Sequence, residues 1–270
     1  MAFPQNKNYT LPAGKVYFGP YAPGTRNVAD DGDIYLGNTP ELTLAADSDT
    51  LDHYDADGAA RYKDDSVVLE ANRTGTLTCD HISPLILSMM FGGQHVTTTQ
   101  AAIANGTQTI ANAKRGVRYQ IGRTAANPAG VRALETLTAE ISAGGTPLVL
   151  NTDYVVDLET GGIEFLPGST LVTDTPAVSV DIDYTTTEQQ FYTVISGDNV
   201  MVEGRLTYIA KQNKGIKFDY VMPYVTLRPD GDFALKGNEE WQVASFALEV
   251  LKRDDQTAQV YINGRASQFA

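Results

Sequence analysis

A single cysteine, Cys79, stands among 270 residues. One cysteine excludes an intrachain disulfide and a thiolate metal cluster. Tryptophan is equally scarce, with Trp241 alone. Basic side chains are few: 20 Lys and Arg face 33 Asp and Glu, for a formal net charge of −13. The excess of acid is uneven, with net −7 over residues 1–93, −5 over 94–190 and −1 over 191–270. No stretch offers the basic patch that would hold nucleic acid by neutralising phosphates. An acidic surface instead repels polyanions. No apolar run approaches the length of a membrane span. The opening, MAFPQNKNYT, has neither the basic nor the apolar region of a secretory leader. The expected setting is a reducing cytoplasm.

Helical periodicity is also scarce. What is present is strand chemistry: Thr, Gly and Asp are frequent, and 14 Tyr outnumber 9 Phe. That balance predicts an all-β or β-rich protein. The chain is long enough for one large domain or two modest ones.

The organising stretch is residues 41–93. A short strand is expected at 41–46, with Leu42, Leu44 and Ala46 on one face. A long acidic loop, 47–65, follows. Residues 66–79 then alternate: Val67, Leu69, Ala71, Gly75, Leu77 and Cys79 on an apolar face, Glu70, Asn72, Thr74, Thr76 and Thr78 on a polar one. A compact helix closes the unit, capped by Ser83, opened by Pro84 and ended by Gly92. Its Leu85, Ile86, Leu87, Met89, Met90 and Phe91 leave almost no polar face, so it should be covered on most sides.

Before this stretch, residues 1–12 read as an arm without a core, followed by short strands at 15–19 and 33–37 around an acid-ended loop with Asp30 and Asp31. After it the texture changes. Residues 94–109 carry no Asp, Glu, Lys or Arg, which places a domain boundary at Gln94. Strands are expected at 116–121, 137–141, 148–150, 153–157 and 163–166, the last two joined by a Gly161-Gly162 turn, and at 178–184. From Phe191 long two-sided strands return, at 199–210, 215–222, 224–227, 233–235, 241–251 and 259–263. Pro223 marks a bulge or edge position between two of them. The expected organisation is a discontinuous domain of residues 1–93 and 191–270, with 94–190 inserted as a small antiparallel β module.

Catalytic and metal signatures are missing. The loop acids Asp47, Asp49, Asp52, Asp55 and Asp57 fit no calcium-loop register: from Asp47, position 6 is Asp52 and position 12 is Gly58; from Asp55, position 6 is Ala60. A solvated acidic loop explains them better. His53, His81 and His95 lack metal-ligand spacing. No nucleophile elbow, phosphate loop or dinucleotide fingerprint occurs. Cys79, at the end of an apolar strand face, reads as a buried structural thiol. Glu239-Glu240 and Asp254-Asp255 read as turn residues. The sequence gives no positive reason to expect an enzyme, a metal or a cofactor.

The run Leu36-Gly37-Asn38-Thr39-Pro40-Glu41-Leu42-Thr43-Leu44, the loop with Leu51-Asp52-His53-Tyr54 and Ala60-Arg61-Tyr62-Lys63-Asp64, the strand through Arg73-Thr74-Gly75-Thr76-Leu77 and the apolar helix together resemble the major tail tube proteins of bacteriophages with long non-contractile tails. The middle block, with Thr152-Asp153-Tyr154-Val155-Val156-Asp157 and Gly162-Ile163-Glu164, is similar to an insertion in some larger members. The resemblance covers most of the chain, and its motifs are diffuse strand patterns.

It implies a β-sandwich or barrel with one flanking helix, and subunits that form stacked hexameric rings around a tape measure protein. Terminator and tail-tip proteins would complete the partners. DNA would pass through without specific binding, and the mature location would be the virion tail. Under that reading Glu70, Asn72, Thr74, Thr76, Glu203, Arg205, Lys217 and Asp219 are the expected bore-facing side chains. Leu51, Asp52, His53, Tyr54, Asp55, Asp57, Arg61, Tyr62 and Lys63 are expected to dock one ring on the next, and the insert to project outward. The rivals are another tail component of the same fold, such as a terminator or hub, and a carbohydrate- or surface-binding β-sandwich. The last predicts aromatic platforms on loops, against which Trp241 is expected inside a strand.

Overall fold

The structure is a computed structural model that describes residues 9–29, 32–55, 57–197, 201–237 and 239–265. The acids Asp30 and Asp31, residues 1–8 of the expected arm, and Val200 with the start of the strand expected at 199–210 lie outside the described residues. Among the described residues the fold is all-β with one short helix. The chain divides into two compact units, residues 1–96 with 194–270 and residues 97–193. The boundaries fall three residues beyond those expected from the change in composition.

The first unit is built on a nine-stranded antiparallel sheet. Its strands are β1 (Gly14–Pro20), β2 (Ile34–Tyr35), β3 (Glu41–Leu42), β4 (Ala45–Asp55), β5 (Tyr62–Cys79), β15 (Val202–Ala210), β16 (Phe218–Pro229), β17 (Ala244–Val250) and β18 (Tyr261–Gly264). The path runs β2-β1-β15-β16-β17-β5-β3, with β18 on β16 and β4 on β5. Alternation explains which face is buried. On β17, Ala244, Phe246, Leu248 and Val250 are buried, and on β5 Leu77 and Cys79 join them. Phe246 stands opposite Leu77 and Leu248 opposite Gly75, so both strands turn their apolar sets the same way. Each such side chain contributes roughly 1.5–3 kcal/mol of burial.

Pro223 does sit at an irregularity. The β15–β16 register jumps between Gly204↔Val225 and Leu206↔Met222, leaving Pro223 and Tyr224 opposite Arg205. A proline donates no N–H to a ladder, so the bulge is where it is tolerated. The two expected strands at 215–222 and 224–227 are thus one bent strand. Its first part, Phe218–Val221, pairs β18, and its second, Val225–Pro229, pairs β17.

The helix, α1 (Pro84–Met90), forms as its caps dictate. Ser83 accepts from the Ile86 N–H at 3.3 Å, and Phe91 N–H reaches Leu87 O at 3.0 Å. Gly92 takes the left-handed φ of 59° that ends the turn. Ile86 and Met89 enter the same core as Phe246 and Leu77.

The second unit holds two further sheets: β10-β9-β13-β7, from β10 (Thr146–Pro147), β9 (Leu134–Ile141), β13 (Val178–Thr186) and β7 (Ile103–Ala113), and β11-β12-β8, from β11 (Tyr154–Asp157), β12 (Gly162–Phe165) and β8 (Arg118–Gln120). Its own core gathers Ile121, Ile163, Phe165, Val180 and Ile182. Gly161, at φ 73°, makes the expected turn between β11 and β12. A two-stranded ribbon, β6 (Gln94–Gln100) with β14 (Gln189–Ile195), carries the chain out of the first unit and back.

Several expectations fail. Residues 47–65 are not a loop: β4 and the first half of β5 form a hairpin there. Polar side chains at almost every position hid the strand, because a two-sided solvated ribbon has no apolar alternation. The short strand expected at 41–46 is broken, with β3 ending at Leu42 and β4 starting at Ala45. Val67 and Leu69, expected on a core face, are 55% and 57% exposed. Residues 148–150 and 233–235 are not strands, and β17 begins only at Ala244. Trp241 therefore lies outside a strand, 91% exposed.

Candidate assembly surfaces

The first surface is the hairpin arm. Beyond Thr74, β5 leaves β17 behind and pairs only with β4, through Ala46↔Arg73 out to Asp55↔Tyr62. Two register shifts, between Asp49 and Thr50 and between His53 and Tyr54, place Leu69 and Asp64 as extra residues on β5. The arm is held by polar pairs along its length. Lys63 Nζ lies 2.6 Å from Asp52 Oδ1, and Ser66 Oγ donates to the same oxygen at 2.7 Å. The Lys63 hydrogen bond, then that from Ser66, holds the Asp52 carboxyl below the usual range. His53 Nδ1 meets Asp64 Oδ1 at 2.6 Å, and Arg61 lies 5.4 Å over the Tyr54 ring. Near the tip, Asp57 N–H closes on Asp55 Oδ1 at 2.9 Å.

All nine residues expected to dock rings therefore belong to one element. Leu51, Asp52, His53, Tyr54 and Asp55 lie on β4, Asp57 and Arg61 in the turn, and Tyr62 and Lys63 on β5. Leu51, Tyr62 and Val68 are 63%, 71% and 59% exposed. A lone hairpin is marginal in water, and this one carries its apolar side chains uncovered.

The second surface is the sheet face opposite the core. Thr74 and Thr76 stand beside Glu249 and Ala247 there, and Glu203 beside Thr226. Thr76 and Thr43 hydroxyls share a 2.7 Å hydrogen bond. The charged members are engaged within the chain. Arg205 forks onto Asp33, with Nη2–Oδ1 2.8 Å and Nε–Oδ1 3.0 Å. Thr207 Oγ1 adds a bond to Asp33 Oδ2 at 3.0 Å. Glu203 accepts from the Tyr224 hydroxyl at 2.9 Å, and Tyr21 stacks on Tyr224 with ring centroids 5.6 Å apart. The segment after β1 thus folds over Glu203 and Arg205. Asp219 accepts from Ala210 N–H and from Arg265. Lys217 precedes β16, outside any strand.

The eight expected bore residues are therefore not one uniform wall. Thr74, Thr76, Glu203, Arg205 and Asp219 belong to the sheet proper. Glu70 and Asn72 ride on the arm, opposite Asp49 and Asp47. Two partners were invisible in the sequence: Asp33, read as the start of a short strand, and Arg265 near the end of β18. Only their long-range pairing gives them a role.

Among the described residues, no group of three or more His, Cys, Asp or Glu could hold a metal ion. Cys79 is buried, and desolvation pushes its thiol up to about 12. Among the described residues no helix is long and apolar enough to cross a membrane. No curated protein matches the chain. A family model described as "Protein of unknown function UCP028589" matches residues 9–263, nearly the whole chain, and the protein belongs to that family.

Proposed function

We propose that this protein is a structural subunit that polymerises as stacked rings into the tail tube of a long-tailed bacteriophage, the conduit for DNA ejection. The observation that carries the reading is the arm: a 12-residue overhang of β5, from Tyr62 to Arg73, paired only with β4 and bearing uncovered Leu51, Val67, Val68 and Leu69. Such an element is a poor investment for a monomer and a natural contact for a neighbouring copy. The resemblance in sequence to tail tube proteins supports the same conclusion, with a tape measure protein inside the tube and terminator and tail-tip proteins at its ends.

In this reading the ring forms before the stack, in the bacterial cytoplasm. The acidic arms repel one another until an initiating surface orders them. Thr74, Thr76 and the hydroxyl-rich face around them line the bore, where a neutral or acidic wall lets DNA slide. The unit of residues 97–193 projects outward.

Electron microscopy of the concentrated protein tests this directly, with open tubes expected. Replacing residues 48–71 by a short Gly/Ser turn joins the paired Asp47 and Asn72. That variant should keep its β-rich circular dichroism and lose tubes. Normal tubes from it would refute the arm's role.

A second reading is supported by one observation. Trp241 and Leu235 are 91% and 84% exposed on the loop before β17, the kind of aromatic platform that a carbohydrate-binding module displays. Glycan-array binding by a protein that stays monomeric would favour it.

A further inference from the structure

We propose that an apolar groove on the core face of the first unit's sheet is the receptor for the β4–β5 arm of a second copy of this chain. The inference rests on the stacked-subunit reading above and adds where the arm goes.

The groove encloses about 640 Å³. Its walls come from five strands: Val16 on β1, Leu42 on β3, Tyr208 on β15, Tyr220 and Met222 on β16, and Leu248 on β17. The helix α1, which covers the rest of that face, contributes nothing to this lining. Gln212 closes one side and is 5% exposed. Its Nε2 donates to Ile216 O at 2.7 Å, but among the described residues its Oε1 has no donor. A buried acceptor without a donor is rare in folded proteins.

The arm has the matching properties. Its β4 strand of 11 residues spans about 37 Å at 3.4 Å per residue, against about 24 Å for the seven-residue β1 and β17. Of the body strands only β16, with 12 residues, matches that length, and because the arm pairs with nothing but itself its length is free to reach an adjacent copy. Leu51 and Val67, paired opposite each other and so on one face of the arm, supply the apolar contact, and the Tyr54 and Tyr62 hydroxyls and edge N–H groups supply donors.

Charge is complementary as well. Residues 45–65 carry seven carboxylates against Arg61 and Lys63, whereas the turn that presents Gln212 carries Lys211, Lys214 and Lys217 and no acid. Acidic arm and lysine-bearing rim lie on different parts of the chain, so the contact is head-to-tail. Repetition of such a contact propagates a polymer.

Cysteine crosslinking tests the docking. Native Cys79 is buried and does not compete. Leu51→Cys protein is mixed with Ile216→Cys protein and treated with a short bis-maleimide, with each variant alone as control and circular dichroism as a check of fold. A covalent dimer in the mixture, and in neither control, is expected. Tubes or oligomers without that dimer overturn the groove and leave the stacked-subunit reading standing. A mixture that stays monomeric and uncrosslinked at concentrations where the wild type is assayed overturns the groove; if the wild type is monomeric too, the stacking reading falls with it. The double variant Lys211→Glu/Lys214→Glu changes only exposed side chains. It should weaken association at least tenfold in low salt, with a smaller deficit in high salt. Unchanged association would remove the electrostatic part of the proposal.

Discussion

Arg265 reaches back across the sheet to Asp219, with Nη2–Oδ1 2.9 Å, while the same nitrogen donates to Ala210 O at 2.8 Å. Asp219 in turn accepts the Ala210 N–H at 2.8 Å. One carboxylate thus ties together the end of β15, the start of β16 and the residue after β18. The Arg265 hydrogen bond, more than any other influence, holds the Asp219 carboxyl below the usual aspartate range.

The pH consequence follows from the sign of that shift. A carboxylate with a depressed folded-state pKa stabilises the fold above the unfolded value, near 3.9, and loses that contribution as pH falls through the folded value. Asp219→Asn should therefore lower the thermal midpoint at pH 7, and the gap to the wild type should close as the pH drops below about 4. Thermal melts at pH 3 to 7 check it. A gap constant across that range would show that the loss is one of shape.

The two units carry separate cores, so a cavity in one should leave the other's transition in place. Phe246 and Phe165 are both fully buried, one in each core. Phe→Ala in such a site costs about 3–5 kcal/mol. Calorimetry should show Phe246→Ala lowering the transition of the discontinuous unit and Phe165→Ala that of residues 97–193. A single transition displaced equally by both would mean that the units unfold together.

The sequence was most legible where one physical rule acts alone. The caps of α1, the Gly161-Gly162 turn and the alternation of Leu77 and Cys79 are local or period-two signals, and each appears in the structure. The β4 side of the arm and the start of β5 were illegible because those strands are solvated on both sides and show no alternation. Residues 66–73, by contrast, alternated and read as a strand, though as one packed on a core. Length and mixed aromatic content still marked residues 47–65 as an unusual segment. Trp241 was misplaced because the apolar-rich run 241–251 contains no Gly, Pro, Asn or Asp to mark where β17 begins. The clamp partners Asp33 and Arg265 could not be found, since an ion pair between distant residues leaves no periodic trace.

Cys79 offers a test of local opening. A thiol pushed up to about 12 by burial exists almost wholly as the unreactive neutral form at pH 8. Maleimide or disulfide reagents should leave it unmodified in the native protein and label it at the rate of opening around β5 and β17. Cys79→Ser, which removes the only thiol and puts a hydroxyl at a fully buried position, should abolish labelling and lower the midpoint of unfolding. Rapid stoichiometric labelling of the native wild type at pH 8 would contradict the burial.

Trp241 separates the two functional readings, because it is the only tryptophan and is 91% exposed. Its emission in the monomer should be that of a solvated indole, red-shifted and readily quenched by iodide or acrylamide. If the loop before β17 takes part in assembly, tube formation should shift the emission to the blue and protect it from quencher, and Trp241→Ala should slow assembly without lowering thermal stability. If the loop is instead a glycan platform, emission should stay red in any assembled state, and soluble saccharides should perturb it in the monomer. The substitution leaves no cavity at so exposed a position, so a change in assembly or saccharide response reports recognition and not misfolding. An emission unmoved by both assembly and saccharides would leave the arm as the contact and exclude this loop from either role.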